Sequence, residues 1–152
     1  MTTPIDNALL RCIDDRHLLV NPPRNFVKKV AIIGEKGPYA TDDSFAHKLI
    51  DRYKLRRRNI YIFTELNRFK AHRAKSFDLL IGIRPCKGEV EILNGATAYN
   101  KKFILLPCCC SGLQSKIPKL IRKYPVIEKI ETYQERSNSN RYGKHAWIIL
   151  YN

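Results

Sequence analysis

The stretch from Phe77 to Gly112, FDLLIGIRPCKGEVEILNGATAYNKKFILLPCCCSG, is the part of the chain from which the fold is best predicted. It contains two strand-like runs, Asp78 to Ile83 and Phe103 to Leu106, which are apolar enough to be buried on both faces. A helix of about a dozen residues should join them, so the pattern predicts a right-handed βαβ unit with parallel strands. The turns after the two strands, residues 84–88 and 107–112, should then lie at the edge where open α/β sheets bind ligands.

Strands and helices also alternate before this unit. Residues 29–34 and 59–64 are strand-like runs, and a helix with Phe45, Leu49 and Tyr53 on one face should lie between them. Only a short helix fits between the second strand and Phe77, because that segment is brief and strongly basic. Each strand is thus followed by a helix, which is the pattern of a parallel sheet.

After the central unit, the sequence predicts a basic helix over residues 117–124 and two more strands, residues 127–134 and 145–151. The loop between these two strands is short enough to make them an antiparallel hairpin. We therefore predict an α/β fold with a Rossmann-like, doubly wound, mostly parallel sheet of about six strands, closed by an antiparallel C-terminal hairpin.

Residues 1–28 precede the first strand, and Asn21-Pro22-Pro23 within them interrupts regular structure. We interpret residues 1–28 as an N-terminal arm or linker, in which Asn7 to Ile13 can form a short helix. Residues 29–152 are interpreted as a single Rossmann-like domain, a size that allows a substantial core.

The charge of the chain favours a polyanionic partner. Lys and Arg number 28 against 14 Asp and Glu, which gives a net charge of +14. RNA or another nucleic acid is favoured over an acidic membrane surface, and a basic surface without a partner is the alternative.

No apolar run approaches the roughly 20 residues that span a bilayer. Three of the five cysteines are consecutive, which is a poor arrangement for disulfides and indicates a reducing compartment. From these two observations we expect a soluble, cytoplasmic protein without membrane contact.

Two features point to a nucleotide-like ligand. Gly34-Glu35-Lys36-Gly37-Pro38 follows the first strand, and such a turn can present backbone N–H groups to a ligand, although a plain tight turn is the alternative. Glu65 ends the second strand, where this fold places an acid that accepts hydrogen bonds from ribose hydroxyls; a solvated surface Glu is the alternative. Together with the turn after the third strand, the candidate cofactor-binding residues are Gly34, Glu35, Gly37, Glu65 and Pro85.

The central stretch resembles class I S-adenosylmethionine-dependent methyltransferase-like proteins in which a late strand ends in Pro-Cys-Cys. The resemblance covers about a quarter of the chain and is carried by Arg84-Pro85-Cys86, Glu91-Ile92, Ala96, Asn100-Lys101-Lys102-Phe103 and Pro107-Cys108-Cys109. It implies S-adenosylmethionine as the cofactor. The chain departs from this pattern in its first loop, which lacks Gly-x-Gly-x-Gly, and in Arg84, which replaces a histidine.

The cysteines after the two central strands suggest a second kind of chemistry. RNA cytosine-5 methyltransferases also carry Pro-Cys and a further cysteine at these strand ends, and the nearby Arg84 and Lys87 could lower the pKa of such a thiol. The candidate catalytic residues are therefore Arg84, Cys86 and Cys108, although cysteines in strand-end turns are often merely buried. No C-x-x-C spacing is present and the histidines are scattered, so no metal site is predicted.

Several basic segments are candidates for phosphate contacts, with aromatic residues interleaved among them. Each could equally be a solvated face. The candidate nucleic-acid-binding residues are Arg56, Arg57, Arg58, Arg68, Lys70, Arg73, Lys116, Lys119, Arg122, Lys123 and Arg141.

The sequence therefore supports three hypotheses. The first is an S-adenosylmethionine-dependent methyltransferase-like protein that acts on or binds RNA. The second is a non-catalytic nucleic-acid-binding module on a degenerate methyltransferase fold, which the short first loop favours. The third is a Rossmann-like protein that binds another nucleotide.

Overall fold

The computed structural model describes residues 4–19, 29–34, 44–107, 117–124, 127, 129–134 and 146–151. The helices are α1 (Pro4–Asp15), α2 (Ser44–Tyr53), α3 (Gly88–Tyr99) and α4 (Ile117–Lys123), with 3₁₀ helices at Arg57–Asn59 and Ala71–Ser76. The strands are β1 (Val30–Ile33), β2 (Ile60–Phe63), β3 (Leu79–Ile83), β4 (Lys102–Leu106), β5 (Lys129–Gln134) and β6 (Ala146–Tyr151).

The first four strands form a parallel sheet in the order β2-β1-β3-β4. Val30 of β1 aligns with Ile60 of β2 on one side and with Leu79 of β3 on the other. The βαβ unit predicted around residues 77–112 is present, since β3 and β4 are parallel and α3 connects them. The helix ends at Asn100, whose left-handed backbone (φ 50°) terminates the last turn and directs the chain into β4.

Both faces of this sheet are covered because its strands are apolar on both sides. One face packs under α1 and α2, through residues such as Ile32, Ile81 and Leu49. The other face packs under α3, α4 and the 3₁₀ helix Ala71–Ser76, through residues such as Phe63 and Phe103. The α/β class and the parallel, helix-flanked sheet are thus confirmed, and they are compatible with a Rossmann-like fold.

The last two strands pair with each other in antiparallel fashion, with Ile130 opposite Leu150, and β6 pairs with β4 at Ile104 and Leu105. The residues that would connect β5 to β6, numbers 135–145, lie outside the described part of the chain. The six-stranded sheet closed by a C-terminal hairpin therefore stays a prediction.

The first helix belongs to the same core as the sheet. Leu9, Cys12 and Ile13 of α1 are fully buried within the cluster that contains β1 and β3 residues. Polar contacts also join α1 to α2: Asp6 pairs with Lys48, and Asp14 pairs with Arg52. Residues 4–19 thus form a packed element that covers one face of the sheet. The division of the chain into an N-terminal arm or linker, residues 1–28, and a domain from residue 29 stays a prediction.

Candidate ligand pocket at the carboxyl edge of the sheet

The strand order places a topological switch point between β1 and β3. From β1 the chain moves outward to β2, and from there it returns across β1 to form β3 on the other side. The connections leaving the carboxyl ends of β1 and β3 therefore diverge to opposite sides, which opens a crevice between them. Ligands of open α/β sheets bind in this crevice.

A pocket of about 240 Å³ lies at this edge. Residues from the ends of β1, β2 and β3 and from the first turn of α3 form its wall. The lining residues are Ile33, Gly34, Thr64, Glu65, Arg68, Phe69, Lys70, Pro85, Lys87, Gly88 and Glu91. The volume is below the roughly 300 to 1,000 Å³ of pockets that enclose drug-sized ligands, so it suits a ligand part of nucleoside size.

Gly34 forms the part of the wall that follows β1. It is buried, and its backbone N–H donates a hydrogen bond of 2.9 Å to the carbonyl of Phe63 at the end of β2. This bond continues the parallel ladder by one residue, so Gly34 is held beside the end of β2. The predicted cofactor residues Glu35 and Gly37 lie outside the described residues.

Glu65 occupies a tight turn directly after β2. Thr64 and Asn67 exchange backbone hydrogen bonds of 3.1 and 3.2 Å, and the Thr64 hydroxyl accepts a bond from the backbone N–H of Leu66. Leu66, at the tip, is 98% exposed, whereas Glu65 is half-buried against the pocket. The turn therefore places the Glu65 carboxylate at the carboxyl end of the second strand, the position that the sequence predicts for it.

The turn after β3 has an unusual backbone. Arg84 and Cys86 both have φ of 49°, in the left-handed region that residues with a Cβ seldom adopt, and Pro85 between them is buried. The N–H of Arg84 donates to the carbonyl of Leu106 at 3.0 Å, and that of Gly88 donates to the carbonyl of Pro85 at 2.9 Å. These bonds hold Pro85 against the pocket. Backbone strain of this kind is enriched at ligand and active sites.

Glu91 stabilises the part of the pocket wall that is formed by the segment from Thr64 to Lys70. Its Oε2 accepts a 2.7 Å hydrogen bond from the backbone N–H of Ala71, at the start of the 3₁₀ helix Ala71–Ser76. One turn further along α3, Gly95 allows close approach, because a Cβ there would lie 2.7 Å from Ala74 Cβ and 2.9 Å from the Ala71 carbonyl oxygen. The position of the segment from Thr64 to Lys70 therefore depends on α3.

The pocket carries charges of both signs. Glu65 and Glu91 are half-buried, whereas Arg68, Lys70 and Lys87 are exposed at the mouth. The carboxylates can accept hydrogen bonds from hydroxyl or amino groups, and the cations attract an anion. The apolar side chains of Ile33, Phe69 and Pro85 provide surfaces against which a flat ring can pack.

Three of the predicted cofactor residues, Gly34, Glu65 and Pro85, are thus brought together in one pocket. The candidate catalytic residues Arg84 and Cys86 flank Pro85, but neither belongs to the described pocket wall, and Cys108 lies outside the described residues. Lys87 and Gly88 belong to the turn, residues 84–88, that the sequence places at this edge, but neither they nor Glu91 were named as ligand-binding residues. The signal for Glu91 was its place in the first turn of a helix at a strand end, where a carboxylate is stabilised by the helix dipole.

The predicted nucleic-acid-binding residues fall into separate groups. Arg56, Arg57 and Arg58 precede β2, while Arg68, Lys70 and Arg73 follow it, and all six are exposed. Lys119, Arg122 and Lys123 are exposed on α4. Lys116 and Arg141 lie outside the described residues.

Within the described part of the chain, no group of three His, Cys, Asp or Glu side chains is placed to hold a metal ion. The helices that the structure describes include none with the length and apolarity needed to cross a membrane. No family model, curated protein or solved structure matches this chain.

Proposed function

We propose that this pocket binds the adenosyl part of S-adenosylmethionine, and that the protein is a methyltransferase-like protein that acts on or binds RNA in the cytoplasm. The sheet would be the Rossmann-like sheet of that class, completed by the C-terminal hairpin. The observation that carries the proposal is the presence of Gly34 and Glu65 in one pocket at the switch point of the sheet.

The residues present fit an adenosine-containing ligand. A half-buried carboxylate at the end of the second strand can accept hydrogen bonds from both ribose hydroxyls, as Glu65 would here. Gly88 keeps the wall between β1 and β3 thin, since a Cβ would lie 3.1 Å from Pro85 Cβ and 3.3 Å from Ile33 Cγ2. The buried rings of Phe69 and Pro85 can pack against a base.

The cofactor would supply an activated methyl group. The chain itself would contribute binding and orientation: Glu65 holds the ribose, Pro85 and the strained turn around it shape the side of the pocket nearest the acceptor, and the exposed cations attract RNA. Alignment of a methyl donor with a nucleophile contributes much of the rate in such reactions, so no general base is required of the described residues.

A specific observation favours the alternative of a different nucleotide. Arg68, Lys70 and Lys87 surround the pocket mouth, and a phosphate group would satisfy these three cations better than the methionine part of S-adenosylmethionine. The remaining alternative, a nucleic-acid-binding module without a cofactor, uses the same cations but leaves the carboxylate of Glu65 without a role.

Calorimetric titration of the purified chain with S-adenosylmethionine, S-adenosylhomocysteine, ATP and UMP separates these functions. The proposal predicts micromolar binding of both adenosyl ligands and weaker binding of the two nucleotides. Tighter binding of ATP would replace the methyltransferase proposal with the nucleotide-binding alternative. If none of the four ligands bound at millimolar concentration, while RNA still bound, the non-catalytic module would be favoured.

A further inference from the structure

The edge of the sheet at β2 has an exposed aromatic ring. Among the described strands, β2 is the outermost on its side. Tyr61 lies on the same face of this strand as Phe63, it is 40% exposed, and its ring meets Phe77 edge-on with centroids 5.2 Å apart. The Tyr61 ring thus packs against the buried Phe77 ring and keeps part of its surface exposed to solvent.

Cations lie at both ends of this strand. Arg56, Arg57 and Arg58 are exposed just before β2, and Arg68 and Lys70 are exposed after it, at the mouth of the pocket. The Arg57 guanidinium donates to the carbonyl of Ile60 at 2.9 Å, which holds the first group close to the strand. A strand of four residues is roughly 13 Å long, so Tyr61 lies between two cationic groups a short distance apart.

A further cation lies on the same face as Tyr61. The guanidinium of Arg73 is 5.0 Å from the centroid of the Phe63 ring, and Arg73 is exposed. Between Arg56 and Phe77 the only acidic residue is Glu65, which faces the pocket. The segment from Arg56 to Phe77 is therefore strongly basic, with the exposed ring of Tyr61 within it.

We propose that single-stranded RNA lies along β2, with one base stacked on Tyr61 and its phosphates on the cations at the two ends. The end at Arg68 and Lys70 brings the strand to the pocket mouth. This inference rests on the proposed function for its choice of RNA. A single strand is favoured over a duplex because its unpaired bases have faces that are free to stack on an aromatic side chain. Such stacking, combined with a row of cations, is how single strands are bound without sequence preference.

The test is fluorescence anisotropy with a labelled eight-nucleotide RNA and with a duplex of the same sequence. Tyr61→Ala should weaken binding of the single strand about tenfold, since stacking contributes roughly 1–3 kcal/mol per base, whereas Tyr61→Phe should leave it unchanged. Tyr99 is the matched control, because it is 39% exposed but lies at the end of α3. Equal effects of Tyr61→Ala and Tyr99→Ala, or equal affinity for the duplex, would overturn the proposal.

Photocrosslinking gives a readout on the unaltered protein. An RNA that contains 4-thiouridine should crosslink to the segment from Asn59 to Arg68, and crosslinks confined to α4 would contradict the assignment. The same protein is also titrated with S-adenosylhomocysteine. If the cofactor does not bind but RNA still crosslinks near Tyr61, only the cofactor proposal fails. If the cofactor binds but RNA does not crosslink near Tyr61, only the proposed RNA site fails.

Discussion

The carboxylate of Glu91 accepts a hydrogen bond from the backbone N–H of Ala71, with 2.7 Å between Oε2 and the nitrogen. Glu91, on α3, lines the pocket, and Ala71 directly follows the segment that contributes Glu65, Arg68 and Lys70 to another part of the pocket wall. The hydrogen bond therefore couples the stability of α3 to the shape of the candidate site.

Glu91→Ala should lower the free energy of unfolding by about 1–2 kcal/mol, because the N–H of Ala71 loses a charged acceptor. Hydrogen exchange at Ala71 and the following residues should accelerate. Glu91→Gln retains an acceptor oxygen and should lose less than half as much stability in urea unfolding. If the Ala71 amide exchanged at the same rate in the wild type and in Glu91→Ala, the hydrogen bond would not hold this wall.

Gly95→Ala should destabilise the protein by about 1–3 kcal/mol through overpacking against Ala71 and Ala74. In a free helix the same change would be favourable by about 1 kcal/mol, so the sign of the effect reports the close packing. Asn94→Ala, at the exposed neighbouring position of α3, should be neutral or slightly stabilising. Urea unfolding of both variants checks this, and equal stability of the two would show that the 3₁₀ helix does not pack closely on Gly95.

The strands were predictable because they are short apolar runs separated by helices in which apolar residues recur on one face. Phe45, Leu49 and Tyr53 were assigned to one helix face, and Phe45 and Leu49 are indeed buried with Tyr53 packed against the same cluster. The packing of α1 into the core was not specified by the sequence, because the prolines after it left an arm and a linker both open and its buried leucines are close in sequence to charged residues.

The pocket was predictable where it depends on topology. Gly34, Glu65 and Pro85 each end or follow a strand, and parallel strands bring such residues to one edge. Lys87 lies in the turn that the sequence places at this edge, but neither it nor Glu91 was named as a ligand-binding residue, because their place in the wall depends on how α3 begins after the strained turn at Arg84 and Cys86. A left-handed backbone at an arginine and a cysteine is not readable from residue type.

Tyr53 provides a test of the contact between α1 and α2. Burial raises the pKa of its hydroxyl, as does the hydrogen bond of 2.8 Å that it donates to Asp14, so the folded protein keeps this proton at a pH where the unfolded chain loses it. The stabilisation is complete below about pH 10, the ordinary tyrosine pKa, and is lost as the pH rises through that value towards the folded pKa.

Tyr53→Phe should therefore lose about 1 kcal/mol of stability at pH 7.5, from the missing hydrogen bond, and this deficit should shrink as the pH is raised above 10. Urea unfolding of the wild type and the variant at pH 7.5, 9 and 10.5 measures it. Tyr99→Phe, on an exposed residue, should match the wild type throughout. A deficit that stayed constant over this range would contradict the raised pKa.

The most direct test of the proposed function is calorimetric titration of the wild type, Glu65→Ala and Asp51→Ala with S-adenosylhomocysteine. Asp51 is an exposed carboxylate on α2, away from the pocket, and its removal should leave the affinity unchanged. We expect micromolar binding by the wild type and at least tenfold weaker binding by Glu65→Ala, because hydrogen bonds from the ribose to a charged acceptor contribute roughly 1.5–3 kcal/mol each. Equal affinities for all three proteins, or no binding by the wild type at millimolar ligand, would contradict it.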